Sequence, residues 1–251
     1  MVTVGGLRSL YLQALHPRAV AGVEQNSSYR KDPWGRLART SIFVTTVIYG
    51  TTEEVEKAGA RVRKLHSRMT AVDRRTGERF RVDEPELLRW VHVTEVESYL
   101  AAVLRGGLRL SPQEQDGYFR EQTRAAAVVG LDPATVPDSV AAVADYYAEM
   151  QPKLELTVDS AATGIFLTMP PLPYGLGLTP VRGAAFGVSA LAIGLLPPWA
   201  RRLYGLPGLP ATDLVTSVNA RVVGRLLRAV PIEWIESPAR KRAMERLDHR
   251  N

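Results

Sequence analysis

The 251-residue chain contains no cysteine. That absence excludes disulfides, thiolate metal sites, iron–sulfur clusters and a cysteine nucleophile, and with them any thiolate-ligated or thioether-attached haem. Histidine is scarce as well: only His16, His66, His92 and His249 are present, so a metal site must draw on these or on tyrosine, methionine and carboxylates. Long hydrophobic runs are missing. The most apolar stretch, Gly183–Leu196, falls short of the about 20 residues that a membrane-spanning helix needs. It reads instead as a core helix, with a peripheral membrane contact as the alternative. The first residues lack the basic and apolar regions of a secretory leader, so a cytoplasmic protein is expected. The net charge is +6, but no run of five basic residues occurs and the arginines are spread along the chain, so nucleic acid is not an expected partner.

Several catalytic signatures are absent too. There is no Gly-x-Ser-x-Gly elbow, no Gly-x-Gly-x-x-Gly turn after a strand, no P-loop and no His-Glu-x-x-His. A carboxylate-bridged di-iron site would want Glu-x-x-His pairs, and Arg63-Lys64-Leu65-His66 and Arg89-Trp90-Val91-His92 do not supply them.

What the chain does have is helical punctuation. Hydrophobic residues make up 45% and charged residues 23%, enough to bury a core, and the expectation is one all-α domain over 1–251. Leu7–Leu15 reads as a helix stopped near His16-Pro17. Gln25–Trp34 reads as a loop. Gly35–Tyr49 carries Leu37, Ile42, Phe43, Val44, Val47 and Ile48, more than one apolar stripe, and is expected to be well buried. Thr51 with Glu54 marks a capping box, opening a helix from Thr52 to Met69. Val72–Arg81, with the turn Asp73–Gly77, reads as a small hairpin. Further helices are expected from Pro85 to Arg105, from the Ser111 cap to Val129, from an Asp138 or Ser139 cap to Met150, and over Leu154–Leu167. A Pro/Gly-rich linker (170–180) follows, then helices over Val181–Leu196, Ala200–Tyr204 and Ala211–Val230, and a charged C-terminal tail (238–251).

Within the Thr52–Met69 segment, Val55, Ala58, Val62, Leu65 and Met69 recur at three- and four-residue steps, which puts His66 on the apolar side. Such a histidine is either a satisfied core residue or a ligand. Arg36, Arg39 and Thr40 share one side of the preceding helix. Arginines there need an anionic partner if buried, or else snorkel to water at the helix end. His92 lies on the following helix. A neutral imidazole with nearby guanidinium groups suits haem, but spacing alone leaves the alternatives open.

An ordered set of blocks narrows them. Leu12-Gln13-Ala14-Leu15-His16-Pro17, Asp32-Pro33-Trp34-Gly35-Arg36-Leu37-Ala38-Arg39-Thr40, Tyr49-Gly50, Val62-Arg63-Lys64-Leu65-His66, Leu88-Arg89-Trp90-Val91-His92-Val93-Thr94, Leu195-Leu196-Pro197 and Tyr204-Gly205-Leu206 occur in sequence. Together, over roughly residues 7–206, they resemble the oxygenase domain shared by bacterial latex clearing proteins (rubber oxygenases) and the fungal membrane-bound oxygenase of mycophenolic acid biosynthesis. The resemblance implies an all-helical fold packed like a globin around one haem b, with His66 as the axial iron ligand. It puts Arg36, Arg39 and Thr40 on the distal side or near the propionates, with Arg39 and Thr40 orienting dioxygen, and lets His92 bind a propionate or hold the ligands in place. Glu24 is the positional counterpart of a catalytic carboxylate base. Rubber oxygenases carry lysine where this chain has Arg39, a permanently charged and poor iron ligand. The implied activity is oxidation of a small or lipophilic substrate by dioxygen at haem iron, with a redox partner that the sequence does not identify. The alternatives are a haem carrier or sensor without turnover, and a cofactor-free helical protein acting at a membrane surface.

Overall fold

The computed structural model describes residues 1–172, 179–206, 209–231, 234 and 236–248. Its elements are helices α1 (Val2–Ala14), α2 (Pro17–Asn26), α3 (Pro33–Tyr49) and α4 (Thr52–His66), strands β1 (Thr70–Val72) and β2 (Arg79–Arg81), and then helices α5 (Pro85–Arg105), α6 (Pro112–Val128), α7 (Val140–Met150), α8 (Val158–Thr168), α9 (Pro180–Gly194), α10 (Pro198–Leu203), α11 (Pro210–Ala229) and α12 (Pro238–Asp248). The class is all-α. The only sheet among the described residues is the antiparallel β1–β2 pair, with Ala71 opposite Phe80. Gly77, at a φ of +74°, makes its turn, a conformation open chiefly to glycine. Most of the expected linker and His249 lie outside the described residues.

Start signals in the sequence become hydrogen bonds. Thr51 and Ser111 each form a reciprocal capping box with the glutamate three residues on. Asp32 Oδ1 accepts from Gly35 N at 2.9 Å to open α3, and Ser139, rather than Asp138, caps α7. The helix expected from Leu154 begins instead at Val158, where Thr157 caps it. α2 runs on through Asn26 into the segment expected to be loop. Gln25 and Asn26 there bond the backbone of Val72 and Thr70, so β1 holds the helix end.

α1 and α5 pack at the centre. Tyr11, Leu12 and Leu15 of this pair meet Trp90, Val93 and Leu100, and Trp90 is wholly buried against Tyr147 of α7. Arg8 is buried in the same layer. It donates to Leu195 O at 2.8 Å and Ser98 Oγ at 2.6 Å, and pairs with Glu97, which also accepts from Tyr147 at 3.0 Å. A buried cation persists only with its partners in place, so this network fixes how α1, α5, α7 and the end of α9 meet.

Two expectations about burial are corrected. α3 has no buried residue at all, and Leu37, Ile42 and Ile48 are exposed. The helix packs on α4 and α12, which leave much of its apolar surface open. In Gly183–Leu196 only Ser189, Leu191 and Ala192 of α9, followed by Leu195 and Leu196, enter the core, and Phe186 is exposed. No helix among the described residues is long and apolar enough to cross a membrane.

Candidate functional site

His66 is the last residue of α4, which stops three residues short of the expected Met69. The inward stripe also differs from the expected one. Leu65 is exposed, and the buried position is Gly59, whose backbone lies against Val128 of α6. Gly59, Val62, Arg63 and His66 follow one another at the helical repeat, so His66 shares the Gly59 face. Arg63 donates to Val128 O at 2.6 Å and locks this face onto α6.

The imidazole is uncommitted. Four buried side-chain polar atoms among the described residues have no hydrogen-bond partner: His66 Nδ1, the one imidazole nitrogen of the set, and atoms of Arg89, Tyr146 and Arg201. Desolvation lowers its pKa, against an opposing pull from Asp83, whose carboxylate is itself tied to Arg81 at 2.6 Å. The ring is therefore neutral near pH 7, the form that binds iron.

Arg36, Arg39 and Thr40 stand near the start of α3. Arg36 is half-buried, and burial lowers its pKa, with Arg39 pushing the same way. Its guanidinium lies over the face of Tyr29, 5.9 Å from the ring centre, and no described carboxylate pairs with it. A desolvated guanidinium without an anion fits a carboxylate-bearing ligand. Arg39 is exposed and reaches Asp32 at 3.3 Å. Thr40 Oγ1 donates back to Arg36 O at 3.1 Å. The two-residue link Gly50–Thr51 folds α4 against α3. Arg36 and His66 lie about 14 or 15 residues from that link, roughly 22 Å of helix each. Both therefore stand at the ends of their helices away from the link.

Glu24 sits at 11% side-chain exposure in a cluster the sequence did not announce. It accepts from the Tyr29 phenol, from Arg30 at 2.8 Å and from Thr163 Oγ1 of α8 at 2.9 Å. Burial raises its pKa, but the hydrogen bonds from Arg30, Tyr29 and Thr163 outweigh burial, and the net shift is downward. Tyr29 is buried, stacks edge-on against Phe166 at 4.9 Å and touches Arg36, so it joins the Glu24 and Arg36 neighbourhoods. Trp34 Nε1 donates to Pro171 O at 2.9 Å, tying the start of α3 to the segment after α8. Tyr29 lay within reach of sequence reasoning, five residues after Glu24. Thr163 and Phe166 did not, because only the fold brings α8 to α2.

His92 is placed elsewhere. It is buried in a crevice with Val93, Val96, Phe119, Val136 and Val143, and burial lowers its pKa to about 4. No residue of α3 or α4 lines that crevice. A cavity of about 300 Å³ opens beside His16, but its charged lining is internally paired, Lys153 with Glu86 at 2.7 Å and Arg18 with Glu84 at 3.1 Å, and it too lies apart from α3 and α4. Among the described residues no three His, Asp or Glu side chains converge as a metal cluster, a geometry that a singly ligated haem iron does not require.

No curated protein and no solved structure matches the chain. One family model does match, over residues 1–229, and it is described as "ER-bound oxygenase mpaB/B'/Rubber oxygenase, catalytic domain". That span takes in α1 to α11 and with them every residue of the site just described, so the chain belongs to the mpaB and rubber oxygenase catalytic-domain family, a family of oxygenases.

Proposed function

We propose that the protein is a haem b-dependent oxygenase acting with dioxygen on a small or lipophilic substrate, and that His66 is the axial iron ligand. The observation that carries this reading is the half-buried, neutral imidazole of His66 at the end of α4, whose Nδ1 is buried without a hydrogen-bond partner. The residues present fit the group: one uncommitted imidazole for iron and, on the neighbouring helix, a desolvated Arg36 with no described anion of its own, suited to a propionate. When bound, haem supplies a redox-active iron that can activate dioxygen.

The remaining roles belong to the chain's own side chains. Arg39 and Thr40 carry hydrogen-bond donors on the Arg36 side of α3, suited to orienting an oxygen ligand. Glu24, held as a carboxylate by three donor groups, can take a proton at Oε1 or Oε2. Tyr29 and Thr163 set its orientation. His92 acts from inside the α5–α6–α7 packing, holding the helix that follows the His66 segment rather than touching the group. The open apolar surfaces of α3 and α8, with Ile42, Ile165 and Met169 exposed, suit a lipophilic substrate.

The test is an absorption titration with hemin. Wild-type chain should give a Soret band at one equivalent, and His66→Ala should lose or strongly weaken it. A chain that ignores added hemin would sink the proposal. Dioxygen uptake in the presence of reductant and a lipophilic alkene then separates an oxygenase from a carrier, which would bind without turnover.

A further inference from the structure

The net charge of the chain is not evenly placed. Residues 1–178 hold 21 Lys/Arg and 21 Asp/Glu, whereas residues 179–251 hold 11 and 5, so the whole excess of +6 belongs to the C-terminal part. The same part exposes much apolar surface, and α11 organises it. Leu214 (66% exposed), Val215, Val218, Val222 and Leu226 (64%) are all open to solvent. At about 100° per residue they fill a continuous arc of roughly 120°. Arg221 and Arg225 fall along the Leu214–Val218 edge of that arc.

The opposite side of α11 faces the protein. Ala220 is wholly buried, Thr216 is buried against Gly194 of α9, and Gly224 lies on the backbone of Gly106. Asp213, the one acidic residue of α11, is turned inward to Arg201 at 2.8 Å. The outward face is therefore apolar with an arginine edge and no acidic residue. Trp234, 82% exposed, follows α11.

We infer that the outward face of α11 is a docking surface for an anionic lipid bilayer, on which the helix lies flat. Apolar residues would enter the acyl boundary while Arg221 and Arg225 meet lipid phosphates, and an exposed tryptophan suits the headgroup level. The helix lies on the bilayer rather than crossing it, since its inward face is already packed on α9 and α5. A second copy of the chain is a poorer occupant. A two-fold contact through this face sets one arginine edge near the other, with no acidic residue on α11 to offset them. Charge complementarity favours an anionic surface.

The test is sedimentation of the full chain with vesicles of phosphatidylcholine alone or mixed with phosphatidylglycerol. Binding should be about tenfold or more stronger to the mixed vesicles and should weaken with added salt. Leu214→Asp with Leu226→Asp, and separately Arg221→Glu with Arg225→Glu, should each remove most of it while the circular dichroism spectrum is unchanged. His66→Ala should bind vesicles like wild type, so this inference can fail or hold independently of the haem reading. Equal binding to both vesicles, no binding to either, retention in both double variants, or a self-association that either double variant abolishes would each overturn it.

Discussion

Thr163 on α8 donates its hydroxyl to Glu24 on α2 across 2.9 Å, joining residues 139 positions apart at a carboxylate that the sequence marks only by position. Replacing Thr163 by valine keeps the shape and removes one donor. The Glu24 pKa, held low by its hydrogen bonds, should then rise toward its ordinary value. Stability should fall by about 1 kcal/mol at neutral pH. A group with a depressed pKa stabilises the fold above its unfolded value and loses that contribution as pH falls through its folded value, so the variant's deficit should shrink in acid. If Glu24 is the base, the acidic limb of the activity profile should move to higher pH. An unchanged profile despite a shifted NMR titration of Glu24 would separate this carboxylate from the reaction.

Gly59 and Val128 make the second prediction. A Cβ at Gly59 would come within 2.7 Å of Val128 O and of Val128 Cγ1. The carbonyl is backbone and is already engaged by Arg63, so it cannot swing away cheaply. Gly→Ala within a helix ordinarily stabilises by about 1 kcal/mol. Here the clash should reverse the sign, with a net loss of roughly 1–3 kcal/mol in urea unfolding. Because His66 lies on the same face seven residues on, hemin affinity should drop as well. Ala60→Gly, at an exposed neighbour, should cost about 1 kcal/mol of stability and leave hemin binding intact.

These contacts show what was legible in advance. Helix starts were, because a capping box is a local event: Thr51 with Glu54 and Ser111 with Glu114 need no tertiary partner. The hairpin turn at Gly77 was legible for the same reason. Burial was less so. The apolar content of α3 says that the helix favours cover, but composition does not distinguish a core from a ligand or another surface, and α3 has no buried residue. On α4 the glycine was the inward residue and Leu65 the outward one, since close helix approach favours the smallest side chain over the most apolar. His66 and Arg36 could be named from their blocks. The partners of Glu24 on α8, and the crevice that separates His92 from α3 and α4, arise from long-range packing that no spacing encodes.

Arg36 should show a trade between stability and function. Its guanidinium is desolvated, and no described carboxylate compensates beyond the face of Tyr29. Arg36→Leu removes that desolvation cost while keeping much of the stem packing, and the hemin-free chain should gain about 1 kcal/mol or a few degrees in Tm. The same change should weaken hemin binding, by about tenfold or more if a charged pair with a propionate is lost. Thermal melts with and without hemin measure both effects. A variant that is less stable without hemin yet binds it as well as wild type would show that the arginine serves the fold.

Acid should destabilise the protein well before its carboxylates titrate. Burial lowers the pKa of His16 and of His92 from 6.5 to about 4 in the fold, and that of His66 shifts the same way. Below pH 6.5 the unfolded chain binds protons that the folded chain does not, so stability falls as pH drops from about 6.5 and levels off near 4. For a buried histidine with this shift the loss at pH 5 is on the order of 2 kcal/mol. His92→Gln should flatten the curve by removing its share. His16→Asn should do the same while keeping a side-chain acceptor for the start of α2, where His16 Nδ1 now accepts from Ala19 N at 3.4 Å. Urea unfolding at pH 7.5, 6 and 5 reads these slopes directly. A wild-type curve that stays flat from pH 7.5 to 5 would mean that both imidazoles take up protons in the folded state as readily as in water.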